Sequence, residues 1–194
     1  MAGRHGHRCH IDGLVSPSPG RVAFGPAATI RFLPKRLDLQ DAERHDFARL
    51  FRAAVGPEPA GKVLVMSCGG YPDESLGGGK KLSRLHNHRL SGLVCDGRLR
   101  DFAGLAEMGF AAYCAGETVR WAGDHLMPFA AGVEVAVRGV TVVPGDYVYA
   151  DAAGVAVIPA ADVREVLEEA VRIEERDAAT IARIRAEDEG RPGG

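Results

Sequence analysis

Long apolar runs are absent from this 194-residue chain: none approaches the roughly 20 residues that cross a membrane. The opening stretch, MAGRHGHRCH, also lacks the hydrophobic region of a signal peptide, so the expected location is the cytoplasm. Charge of one sign is missing too. Lys and Arg total 24 against 26 Asp and Glu, a net charge of -2, and no basic block is long enough to track a phosphate backbone. Direct nucleic-acid binding is therefore disfavoured. No CxxC pair occurs. Cys9, Cys68, Cys95 and Cys114 lie far apart, three of them in apolar stretches such as GLVCDG, as expected of reduced core thiols. Internal repeats are absent as well.

What remains is enough for a compact domain, since 46% of the residues are hydrophobic. Residues 1–20, rich in Gly, Pro, His and Arg, read as an arm or loop, and residues 21–190 as the domain proper. His5, His7, Cys9 and His10 have metal-binding side chains, but without a rigid element to set ligand geometry they read as a basic tail. RVAFGPAATIRFL predicts two short strands broken at Gly25-Pro26. Leu39, Ala42, Phe47, Leu50, Phe51 and Ala54 recur at helical spacing, predicting a helix over 39–55. KVLVMS and GLVCD read as buried strands on either side of a glycine-punctuated loop (68–79) and a helix (80–89). A turn at 97–101, a short helix (102–108) and the strand FAAYCAG follow. Short strands then fill 133–158, and one long helix, 160–188, closes the chain. Its apolar face holds Val163, Val166, Leu167, Ala170, Val171 and Ile173; beyond Glu174 charge dominates. The fold class is thus a mixed α/β sandwich, because 133–158 is too strand-dense for regular βαβ winding.

Two places concentrate chemistry. Gly77-Gly78-Gly79 runs straight into the helix at Lys80, where glycines permit a sharp turn and the helix N-terminus presents free N–H groups and a positive dipole end. Lys80 and Lys81 in that first turn oppose the dipole preference, which makes sense if they attract an anionic ligand. The pattern does not meet GxxxxGK[ST], and it reads equally as a flexible loop with two solvated lysines. Arg100-Asp101, just after a buried strand, offers a two-pronged carboxylate donor beside a hard oxygen ligand suited to Mg²⁺. Alternatively Asp101 caps the helix FAGLAEM and Arg100 pairs with Glu107. Asp146, Asp151 and Asp96 read as turn residues. His86 and His88 point to different helix faces, and His125 has no legible partner.

The order glycine loop, helix, SGLVCDGRLRD, together with FGPAATIRF and GVTVVPGDYVYADAAGVAVIP, resembles the RraA-like family from about Arg21 to Gly190. That family includes the class II 4-hydroxy-4-methyl-2-oxoglutarate/4-carboxy-4-hydroxy-2-oxoadipate aldolases. The resemblance implies a single-domain β/β/α sandwich of the swivelling kind, assembled as a homotrimer or hexamer with sites between subunits. It also implies a lyase acting on a small 2-oxo acid, by retro-aldol cleavage or oxaloacetate decarboxylation through a metal-stabilised pyruvate enolate. On this resemblance Asp101 binds Mg²⁺ or Mn²⁺ and Arg100 grips the pyruvoyl group. Gly78, Gly79, Lys80, Lys81 and Leu82, at the start of the helix, hold the carboxylate.

The chain departs from the pattern in two places. The acidic residue expected before the Arg-Asp pair, with the twenty residues 80–99 between them, is Gly79 here, with Asp73 and Glu74 in the same loop. The family's opening helical segment is missing or shortened. A further acid is expected from a neighbouring subunit's last helix, with Glu174, Glu175 and Asp177 as candidates. Two alternatives stand beside the lyase. One is a specialised biosynthetic enzyme with altered chemistry, motivated by the loop CGGYPDESLGGGKK. The other is a non-catalytic regulator that binds a ribonuclease or another protein. Methyl transfer is disfavoured, since no glycine-rich nucleotide loop follows the first strand of a βαβ unit.

Overall fold

The computed structural model describes residues 6–189. Two compact units divide at Ala160/Ala161, inside the stretch expected to be one domain. The first is built on strand β2 (Ala23–Pro34), a single 12-residue strand where two were expected. Pro26 does not break it, because the ladder to β3 (Val63–Ser67) begins one residue later, at Ala27↔Val63, so its missing N–H costs no bond there. Gly25 is needed for a close approach: a Cβ there would sit 1.9 Å from the Gly61 carbonyl oxygen.

From β2 the sheet grows in parallel through β3, β5 (Gly92–Cys95) and β7 (Ala111–Tyr113). Helices α1 (Phe47–Val55), α2 (Gly79–Asn87) and α3 (Phe102–Ala106) make the crossovers. This half is wound as βαβ units, while the stretch 133–158 is antiparallel, as its strand density implied. On the other side of β2 the sheet is antiparallel, through β11 (Tyr147–Asp151), β12 (Gly154–Ile158) and β1 (His10–Ile11), and β8 (Leu126–Ala131) pairs with the far end of β2.

Strand parity separates the two faces. Leu64 and Met66 of β3, with Ile30 and Phe32 of β2, pack beneath Phe51 of α1 and Leu82 and Leu85 of α2. Val63 and Val65 point the opposite way, onto Val135, Val137, Val140 and Val142 of the hairpin β9 (Val135–Val137)–β10 (Val140–Val142). The layers are hairpin, sheet and helices, the β/β/α order expected. All three helices contribute to the same core cluster, so the winding never reverses.

Several boundaries moved. Helix α1 begins at Phe47 and not near Leu39, because Asp41 captures the N–H groups of Glu43 and Arg44 in a local turn. Asp46 then caps the helix through the Arg49 N–H. The segment read as an arm supplies β1, and Cys9 and Ile11 are buried. Among the described residues no group of three metal-binding side chains forms; His5 lies outside them. The second unit holds α4 (Val163–Glu189), close to the expected 160–188. No helix among the described residues is long and apolar enough to cross a membrane.

Candidate functional site

The loops that follow β3 and β5 leave the same, C-terminal, end of the parallel sheet, where α/β folds carry their ligands. A small parallel ladder stitches them together: β4 (Ser75–Gly77) pairs with β6 (Arg98–Leu99). Arg98 N–H donates to the Glu74 carbonyl at 3.0 Å and Arg100 N–H to that of Gly77 at 2.9 Å. This places Gly78-Gly79 directly beside Arg100-Asp101.

Asp101 adopts the left-handed conformation (φ 65°, ψ 42°), which costs on the order of 1 kcal/mol for a residue with a side chain. The twist turns its carboxylate away from α3 and toward α2, where Oδ2 accepts the Gly79 N–H at 2.9 Å. Asp101 thus caps the wrong helix, and Glu117 takes over at α3, accepting the Phe102 N–H at 2.8 Å. The bare Cα of Gly78 leaves room for this carboxylate, since a Cβ there would lie 2.6 Å from Asp101 Oδ2.

Around this contact lies a pocket of about 300 Å³. Four cations, Lys80, Lys81, Arg84 and Arg100, line it against two carboxylates, Asp46 and Asp101. The excess of positive charge and the α2 N-terminus act in the same direction, toward an anion. Lys81 sits 5.0 Å above the Phe47 ring, and its Nζ donates to the Leu76 carbonyl. Burial lowers its pKa below the usual lysine value, and the positive charges of Arg100 and Arg84 add to that, while Asp46 opposes it. Arg100 Nε is buried and without a hydrogen-bond partner among the described residues. An unsatisfied guanidinium nitrogen beside a cavity is a donor waiting for an acceptor.

For a divalent cation, Asp101 is a hard oxygen donor, and one amide contact leaves its carboxylate with capacity to spare. Asp46 is the other carboxylate on the pocket wall. With no three-residue cluster of His, Cys, Asp or Glu among the described residues, this donor set fits a cation that keeps most of its waters, as Mg²⁺ does, and not a closed protein cage.

Comparison with known proteins gives the site its context. The sequence pattern of the RraA-like family (Aldolase/RraA) matches residues 2–157. The chain belongs to this family. Among curated proteins it is 33% identical over 153 residues to a Burkholderia mallei protein provisionally named 4-hydroxy-4-methyl-2-oxoglutarate aldolase, covering 76% of this chain and 82% of that one. It is 28% identical over 181 residues to the protein DlpA of Legionella pneumophila, covering 90% of this chain but only 28% of DlpA. Among solved structures, Streptomyces coelicolor RraAS2, described as an unusual member of the RNase ES inhibitor RraA protein family, superposes with a TM-score of 0.80 at 29% identity. That match covers 94% of this chain and 89% of RraAS2.

Within this RraA-like chain the expected site residues divide. Gly78, Lys80, Lys81, Arg100 and Asp101 line one pocket, and Gly79 reaches it through its N–H. Leu82 does not belong: its side chain is fully buried against Gly77, and its N–H is spent on the Gly78 carbonyl inside the helix. Nor do the loop acids. Asp73 pairs with Arg98 at 3.1 Å, and buried Glu74 bonds His125 Nδ1 at 3.0 Å, which also gives His125 the partner the sequence did not show. The Arg100–Glu107 pair is not formed. Asp96 is structural as read, accepting the Cys68 N–H at 2.6 Å. His88 ends α2 and packs on Phe51. Glu174, Glu175 and Asp177 lie exposed on α4, in the second unit. Sequence reading missed Asp46, Arg84 and Trp121. The pattern Asp46-Phe47 before an apolar run was a legible cap; nothing periodic marks Trp121.

Proposed function

We propose that this protein is a divalent-metal-dependent lyase acting on a small 2-oxo acid, by retro-aldol cleavage of a 4-hydroxy-2-oxo acid or decarboxylation of oxaloacetate. The observation that carries this reading is the bond between Gly79 N–H and Asp101 Oδ2, which joins the α2 N-terminus to the Arg100-Asp101 pair in one cationic pocket. Arg100, with its unpartnered Nε, would grip the substrate carboxylate, assisted by the first-turn amides of Lys80 and Lys81. Lys81 adds positive charge held partly out of water, where it attracts an anion more strongly than at the surface. Asp101 would hold Mg²⁺ or Mn²⁺, and Asp46 is placed on the same wall. When bound, the cation would polarise the 2-oxo group and stabilise the negative charge left by carbon–carbon cleavage.

A cytoplasmic homo-oligomer, a trimer or a hexamer, belongs to the same proposal. It is supported by large apolar side chains left exposed along α4, among them Leu167, Val171 and Ile181. The test is release of pyruvate from oxaloacetate or a 4-hydroxy-2-oxo acid, requiring Mg²⁺ and abolished by Asp101→Ala. Absence of turnover together with absence of metal binding would sink it. A second reading, a non-catalytic regulator of a ribonuclease, rests on the likeness to RraAS2. A stable protein partner in a pull-down, retained by Asp101→Ala, would favour it.

A further inference from the structure

A second cavity of about 350 Å³ opens beside the pocket just described, and the two share Asp46, Phe47, Lys81 and Trp121 as their common wall. Its lining changes character away from that wall. Beyond Trp121 come Phe32, Ala42, Leu126, Met127 and Pro128. Two polar groups at its far end are each held by one bond: Lys35 Nζ donates to the Gly123 carbonyl at 2.9 Å, and His45 Nδ1 accepts the Asp41 N–H at 3.0 Å. Lys35 and the shared Lys81 are the cations on its wall, and each gives one Nζ donor to a carbonyl, of Gly123 and of Leu76.

Trp121 divides the two cavities and is built to stay where it is. Its backbone bridges Ser75 of β4, and the following amide ladder continues through Ser75 N–H to the Arg120 carbonyl at 2.9 Å. Its indole lies against the bare Cα of Gly123, where a Cβ would come within 2.3 Å of the ring. Yet the residue is 54% exposed. A large planar surface, fixed in place and left in water at the rim of a pocket, is a stacking platform.

We infer that this second cavity is the subsite for the part of the substrate distal to the 2-oxo acid, and that this part is apolar and planar, an aryl or similar group that stacks on Trp121. The inference rests on the lyase reading, since the 2-oxo acid head is what occupies the first pocket. The head would be held by Arg100 and the α2 N-terminus. The tail passes between Phe47 and Trp121 and lies on the indole. Its burial sets the preference.

The chain contains one tryptophan, so the platform reports on itself. The experiment measures binding to the intact protein in the presence of Mg²⁺, by calorimetry and by Trp121 fluorescence, for 2-oxobutanoate, 2-oxoglutarate and 2-oxo-4-phenylbutanoate. The phenyl acid is expected to bind at least about tenfold more tightly than 2-oxobutanoate and to change the indole emission, with 2-oxoglutarate gaining no such advantage. In Trp121→Ala the ratio of the two dissociation constants should fall below about twofold, and Trp121→Phe should keep part of it. Because the ratio is taken within each variant, a general loss of binding does not mimic the effect.

A preference for 2-oxoglutarate, no gain from the phenyl group, or a gain that survives Trp121→Ala overturns the inference while leaving the lyase reading intact. Failure of all three acids to bind overturns both.

Discussion

Asp101 holds its position through a single glycine. In Gly78→Ala the new Cβ would meet the tip of the Asp101 side chain, a flexible group that can swing away, so the fold should survive. The carboxylate should not stay bonded to Gly79. Melting temperature within a few degrees of the parent, with at least about tenfold weaker Mn²⁺ binding by electron paramagnetic resonance, is the expected pair of results. Gly79 makes the complementary case. Its missing Cβ points into ordinary contact, 3.6 Å from Asp101 Oδ2, so a carboxylate placed there would stand next to the first. Gly79→Asp should therefore tighten Mn²⁺ binding, since the cation gains a second hard oxygen ligand; unchanged or weaker binding would show that Asp101 is not the metal's ligand.

Also at this scale, burial pushes the thiols of Cys68 and Cys114 up to about 11, with the Asp96 carboxylate adding to the effect at Cys68. The unfolded chain releases these protons near pH 9 and the folded chain only near 11. Between those values the folded state binds more protons, so its stability falls as pH rises. Melting temperature should decline from pH 9 to 11, less steeply in Cys114→Ala than in the parent. At pH 8 the folded protein should resist iodoacetamide at both positions.

Elements owe their registers to close backbone approaches. Strand β2 passes so near the Gly61 carbonyl that Gly25→Ala must displace backbone, and a loss of about 3 kcal/mol in denaturant midpoint experiments is expected. A loss below about 1 kcal/mol would mean that the two segments separate easily. The same element shows why Gly25-Pro26 misleads as a punctuation mark. Read locally, the pair ends a strand; in the sheet it falls where β11 pairs on one side and β3 has not yet begun. Buried strands were legible because β3 and β5 are apolar at every position but Ser67, as expected of strands covered on both faces. Helix α1 was legible only from Phe47 onward, since the preceding turns are held by Asp41, a side chain competing for backbone amides.

At the scale of the molecule, α4 is a 27-residue helix whose Leu167, Val171, Ile181 and Ile184 are each 42% or more exposed. A helix of that length with an apolar stripe in water needs cover. Leu167→Glu combined with Val171→Glu, one turn apart on the same face, is expected to lower the mass measured by sedimentation. An unchanged mass would remove α4 from the assembly.

Local chemistry alone was enough to find no membrane-spanning apolar run, to mark the buried strands, and to raise the glycine run before Lys80 and Arg100-Asp101 as candidates, to which the family resemblance gave their weight. Those features depend on near neighbours in the chain, and periodicity or composition reports them. The site itself depends on pairings between distant positions. Gly79 and Asp101 are 22 residues apart, and Asp46 and Trp121 arrive from opposite ends of the parallel half. Glu74 went to His125 for the same reason: strand order, not spacing, decides which loops share a wall. No run of residues encodes that order, because it follows from how the two faces of one sheet are covered.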